Sequence, residues 1–157
     1  MSLERVARIV LLSALGFTAV TSALGGAMLV IGSFVDLSGS AIAIPDSYLA
    51  GSPFAPTLVP GLALGLVVAG TQVAALVMVA RRMRWAMVGA AIAGFGILVW
   101  IFVQMIFSPF SPLQVLYFVL GVIELGAVLV LLDVLHPWAH AAARREDRDV
   151  RRPSTVP

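Results

Sequence analysis

The chain has 157 residues, 61% of them apolar and only 11% charged, with a mean hydropathy of +1.05, whereas an ordinary soluble domain is about 25% charged. This composition excludes an intrinsically disordered chain and argues against a water-soluble globule. Cysteine is absent, which excludes disulfides, thiolate-ligated zinc, iron–sulfur clusters and thiol redox chemistry within this chain.

A membrane-spanning helix needs about 20 mostly apolar residues. Residues 1–8 are a short polar start carrying Arg5 and Arg8, and residues 9–34 form an uncharged first span. A cleaved signal peptide is the competing reading of this start, but the apolar run continues to Val35, past the 7–15 residues of a signal core. Residues 35–56 follow as a loop with two acids and no base. Its Pro45-Asp46-Ser47 reads as a turn, and residues 48–54 read as a short element on the membrane surface. The second span covers 57–80, with Pro60 in its first turn, where a missing N–H costs little. Residues 81–84 make a basic turn, 85–107 a third uncharged span, 108–112 a short turn, and 113–136 a fourth span containing Glu124 and Asp133. Residues 137–157 form a basic tail, expected to be disordered at its end. Each span is too long for a strand and lacks alternation, so the expected fold is an all-α, polytopic four-helix bundle.

All ten positive charges are arginine. Two precede the first span, three (Arg81, Arg82, Arg84) sit in the 81–84 turn, and five, including Arg144 and Arg145, follow the fourth span. The positive-inside rule therefore places both termini and the 81–84 turn in the cytoplasm, which requires an even number of spans. The expected location is the cytoplasmic membrane, with these arginines against anionic inner-leaflet lipid. Trp85 and Trp138 fall near the inner interface, and Phe34, Tyr48, Phe54, Phe107 and Phe110 near the outer one.

In lipid, helices associate through close packing of small residues and through polar groups that find partners. Twelve of the fourteen glycines lie in the spans, implying close backbone approach on several faces. Ala14, Thr18, Ser22 and Gly26 recur at four-residue spacing on the first span. Gly61 and Gly65 form a GxxxG on the second, Gly89, Ala93 and Gly96 share a face of the third, and Gly121 stands one turn before Glu124. These are read as helix-packing positions; the functional alternative is room for a ligand or a partner helix.

Glu124 is the most informative residue. A charge near the middle of a span costs about 2.5–3.5 kcal/mol on insertion scales, so it should face the bundle interior. Depth counting places Ser22 and Thr21 level with it and Gln72 slightly deeper, and Gln72 shares a face with Gly61 because eleven residues is close to three helical turns. The expected cluster is Glu124, Gln72, Ser22 and Thr21. It reads either as polar glue that fixes helix register or as a proton- or cation-binding carboxylate on a transport path. Near the outer surface, Trp100, Gln104, Gln114 and Tyr117 are placed to line an outward-facing pocket, with interfacial anchoring as the plainer reading. Asp133, His136 and His140 have helical metal-ligand spacing, but Pro137 interrupts it, and no metal or other cofactor is expected.

No HExxH, GxSxG or P-loop is present, and the spans hold no histidine pair for haem, so no enzymatic activity is expected. Acids interrupt the arginines of the tail, which argues against nucleic acid as a partner. Gly51, Pro53, Phe54 and residues 58–61, then Gln104, Ser111, Leu113, Gln114, Tyr117, Phe118 and Gly121, carry a pattern that resembles a loose group of small four-span actinobacterial membrane proteins. The resemblance covers about residues 40–126; it implies the four-span fold and carries no activity. The function expected from the sequence is an interaction or accessory subunit of a membrane complex, with a membrane-protein partner or a second copy of the chain. The alternative is a small transporter or lipid- or solute-binding protein that uses Glu124.

Overall fold

The computed structural model describes residues 3–35, 57–107 and 110–132. Over these residues it is helical, with four helices long and apolar enough to cross a membrane. The expected element over residues 48–54, the metal-spaced Asp133, His136 and His140, and the tail arginines Arg144 and Arg145 lie outside the described residues.

Helix α1 spans Leu3–Gly32. Its 30 residues extend about 45 Å at 1.5 Å per residue, longer than the roughly 30 Å hydrocarbon layer. It therefore begins six residues before the expected apolar run, and its first turns carry Glu4, Arg5 and Arg8. Helix α2 spans Leu58–Ala80, and its middle, Ala63–Val68, is wound as a π-helix. Helix α3 spans Ala86–Phe107. Helix α4 spans Pro112–Leu131 and opens with a capping box. There the Ser111 hydroxyl accepts from Leu113 N–H at 3.3 Å, and Gln114 Oε1 accepts from Ser111 N–H at 3.1 Å. Pro112 occupies the first turn, where no donor is lost.

The short connections after α2 and after α3 make those neighbours antiparallel, and cross-helix contacts give the same arrangement for α1 with α2. Arg8 Nη2 near the start of α1 donates to Val79 O at the end of α2 at 2.7 Å. Gly26 near the end of α1 packs on Gly61 and Gly65 near the start of α2. The Thr18–Glu124 contact and the shared core of Leu11, Leu15, Ala127 and Val128 close α1 against α4. The bundle is thus up-down-up-down, with Leu3 and Leu131 at one end. Arg5, Arg8, Arg81, Arg82 and Arg84 belong to that same end, called the arginine end below.

Apart from a few large side chains such as Leu11, Leu15, Ile97 and Ile101, the interior is built mainly from small residues, and most large apolar side chains lie on the outside. Ala14, Ala75, Ala90, Ala93 and Ala127 are buried, whereas Leu66, Phe95, Val99 and Phe102 are exposed. In water this arrangement would expose a broad apolar surface; in hydrocarbon it lets backbones approach while large side chains face lipid. The closest approach is the α1–α2 crossing. A Cβ at Gly26 would lie 2.6 Å from Gly65 Cα, and one at Gly61 would lie 2.8 Å from Leu29 Cβ. Above the crossing the Thr57 and Ser33 hydroxyls meet at 2.7 Å, and Thr57 also donates to Leu29 O at 2.9 Å. Gly89 packs on Met78 and Gly121 on Ile97 and Leu98. Gly96 corrects the sequence reading. No neighbouring heavy atom lies within 4 Å of a Cβ built there, and the α3 glycine that packs on α4 is Gly94, against Leu125. The reason is the path of α3, which lies along the second half of α2 and has little contact with its π-wound segment.

Candidate functional site

Two features meet inside the bundle: a buried carboxyl and, about one helical turn away, a cavity. Glu124 reaches the centre because α4 packs through Gly121 and Ala127 on either side of it, and its side chain is fully buried. Both carboxyl oxygens have partners. The Thr18 hydroxyl from α1 donates to Oε1 at 3.3 Å, and Gln72 Nε2 from α2 donates to Oε2 at 3.1 Å. Gln72 Nε2 also donates to Ala93 O on α3 at 3.3 Å. One polar group on each of four helices is thereby tied to a single point. The π-wound segment contributes to this register, because its wider turns change the face presented by the residues after it. Val68, Ala69 and Gln72 are all turned inward, with Gln72 on the carboxyl.

The expected cluster forms in part. Glu124 and Gln72 are joined. Ser22 lies on the same face one turn beyond Thr18, but its hydroxyl has no partner among the described residues. Thr21 does not join the carboxyl: its hydroxyl donates back to Phe17 O at 2.7 Å within α1, the usual resolution for a helical threonine. Thr18 takes the place expected for Thr21. Its signal was the four-residue row Ala14, Thr18, Ser22, Gly26, which the sequence reading treats as a packing stripe only. Gln72 Oε1 is the second buried polar atom without a partner.

The cavity has a volume of about 260 Å³ and occupies the end of the bundle away from the arginines. Trp100, Gln104, Gln114 and Tyr117, expected to share a pocket, all line it, together with Ser22 and Leu64. Gln104 and Gln114 have different tasks within it. Gln114 is buried and its carbonyl oxygen is committed to the α4 cap, leaving its amide N–H groups as donors. Gln104 is partly exposed in the wall. Leu64 enters from the π-wound segment and also meets Gly25 on α1. None of the described lining residues is charged, and Glu124 is not among them. Its floor is made by Ser22 and Ile97, while Thr18 lies one turn deeper. The arrangement can hold a small uncharged molecule between aliphatic walls and a ring of hydroxyl, amide and indole groups. It contains no nucleophile paired with a base and no set of metal ligands; among the described residues no group of three or more His, Cys, Asp or Glu side chains comes together.

Comparison with protein-family models, with curated proteins and with solved structures yields no match for this chain. The chemistry of the site is therefore read from its geometry.

Proposed function

We propose that this chain is a non-catalytic integral membrane protein whose working part is the 260 Å³ cavity, where it binds a small, uncharged, partly apolar molecule. The observation that carries this reading is Ser22. Its hydroxyl is buried, lines the cavity and has no partner among the described residues. A buried polar group without a partner is costly, so a ligand hydroxyl, carbonyl or amide that reaches Ser22 gains a hydrogen bond by binding there. The uncharged lining selects against ions. Leu64, Ile97, Ile101 and Trp100 favour a compact apolar body.

Glu124 plays a structural part in this reading. Its two oxygens are occupied by Thr18 and Gln72, and the cavity ends before reaching it. Both features favour polar glue over a transport carboxylate. A second reading, an accessory subunit within a larger membrane complex, is favoured by Gly70 and Gly126. Both are exposed glycines with open space where a side chain would stand, so the bundle's own packing leaves them unused.

Binding is tested on the full chain in neutral detergent with menthol, an uncharged ring bearing one hydroxyl, by thermal shift and equilibrium titration. Saturable stabilisation is expected. Ser22→Ala should weaken binding by about three- to tenfold, the loss of one net hydrogen bond, and Trp100→Ala should weaken it further. Ligand-independent melting in the native chain, or equal affinity in the Ser22→Ala variant, would contradict the assignment.

A further inference from the structure

A second concave surface lies at the opposite end of the bundle, outside the cavity just described. It is an apolar groove of about 350 Å³ between α2 and α3, lined among others by Thr71, Ala74 and Met78 on one side and Trp85, Gly89 and Ile92 on the other. It exists because small residues face each other here. Gly89 lets α3 approach Met78, and Ala74 leaves a trough where a larger side chain would fill the space. Seven residues from Trp85 to Ile92 correspond to a depth of about 10 Å, within the roughly 15 Å of hydrocarbon in one leaflet.

The groove ends at the 81–84 turn, where Arg81, Arg82 and Arg84 are all exposed. Arg84 stacks over the Trp85 ring at 5.0 Å, and that ring is part of the groove wall. The turn also holds Arg82 at φ 53°, the one non-glycine residue with positive φ among those described. Met83 N–H bonds to Met78 O at 2.9 Å and Arg82 N–H to Val79 O at 3.2 Å. These bonds make the Schellman ending in which glycine ordinarily fills the position of Arg82. A guanidinium therefore stands where backbone preference asks for no side chain.

We propose that this groove and turn form a specific site for one anionic phospholipid, an acyl chain lying in the groove and the phosphate held by Arg81, Arg82 and Arg84. Charge complementarity selects this occupant. A second copy of the chain would bring its own arginines to the same end, and a zwitterionic lipid would leave the guanidinium groups only partly matched. The site differs from diffuse attraction of a basic surface to a charged leaflet because it needs the apolar trough as well as the charges.

The test uses the full chain, purified in neutral detergent and titrated with dioleoylphosphatidylglycerol or dioleoylphosphatidylcholine, with bound lipid counted by native mass spectrometry. One phosphatidylglycerol per chain is expected to bind about tenfold more tightly than phosphatidylcholine. Replacing Arg81, Arg82 and Arg84 together by glutamine should reduce the anionic lipid to the level of the zwitterionic one. Ala74→Phe keeps every charge but fills the trough from an exposed position, and should also weaken phosphatidylglycerol severalfold. Val88→Phe, again from an exposed position in the groove wall, repeats that test if Ala74→Phe melts early. Equal binding of the two lipids would overturn the proposal. So would an unchanged preference in the triple glutamine variant. Full phosphatidylglycerol affinity in a folded trough-filled variant would show diffuse electrostatics instead. A stable dimer that excludes lipid would assign the groove to a second copy.

Discussion

Glu124, Thr18, Gln72 and Ser22 illustrate how a few polar atoms organise an apolar bundle. Replacing Glu124 with glutamine keeps one carbonyl acceptor and the side-chain length, so a loss below about 1 kcal/mol is expected. Glu124→Leu removes both acceptors. Thr18 can then turn back to its own helix, and Gln72 keeps its bond to Ala93 O, so the loss should stay near 1–2 kcal/mol, roughly the upper range for interhelical hydrogen bonds in bilayers. Equilibrium unfolding in mixed micelles distinguishes the two. A Glu124→Gln variant as damaged as Glu124→Leu would mean that more than hydrogen bonding holds this position. Ser22→Ala should raise stability by up to about 1 kcal/mol, because it removes a buried hydroxyl without a partner; a loss would show that the hydroxyl is already satisfied. At this scale the sequence was informative where depth decided the outcome. A carboxyl mid-span must point inward, and a glutamine about three turns after Gly61 falls slightly deeper than it. The sequence reading named Ser22 and Thr21 as the hydroxyls, and Thr18 serves instead, because a helical threonine always has the alternative of bonding its own backbone. Thr21 takes that alternative and Thr18 does not.

The helices themselves were legible from apolar length and from the placement of prolines and arginines. The capping box of α4 was written as Ser111-x-x-Gln114, although the sequence reading gave Gln114 only a place in the pocket and Ser111 no role of its own. The π-wound segment of α2 was not legible, since the run Ala63–Val68 carries no proline or other local signal that sets it apart from the α-helical residues around it. Gly96 shows the limit of periodicity: it repeats the face of Gly89, but α2 is no longer close at its level. The contrast gives a clear prediction. Gly26→Ala places a methyl against the α2 backbone, 2.6 Å from Gly65 Cα, and should cost about 1–3 kcal/mol by forcing the helices apart. Gly96→Ala enters open space and should change stability by less than about 0.5 kcal/mol. Parallel unfolding curves of the two variants check this, and similar losses would mean that the crossing is not a close backbone contact. At the end of α2, Arg82→Gly relieves the left-handed backbone and should add up to about 1 kcal/mol of stability in detergent.

At the scale of the whole molecule, most large apolar side chains face outward while many of the buried positions are alanine, so hydrocarbon is the fitting solvent for the helices. The same four passes bring the start of α1, the α2–α3 turn and the end of α4 to one end of the bundle, together with every described arginine. We propose, from the positive-inside rule, that this end faces the cytoplasm; the cavity of Trp100, Gln104, Gln114 and Tyr117 would then lie near the outer surface and the arginine groove in the inner leaflet. Cysteine-free sequence makes the decisive measurement simple, because single cysteines can be introduced without removing any. With Ser2→Cys, Arg82→Cys, Ser111→Cys and Ser154→Cys variants in intact cells, a membrane-impermeant maleimide should label only Ser111→Cys, the others reacting only after permeabilisation. Labelling of either terminal variant in intact cells, or protection of Ser111→Cys alongside labelling of Arg82→Cys, would contradict a chain that crosses four times with its arginines inside.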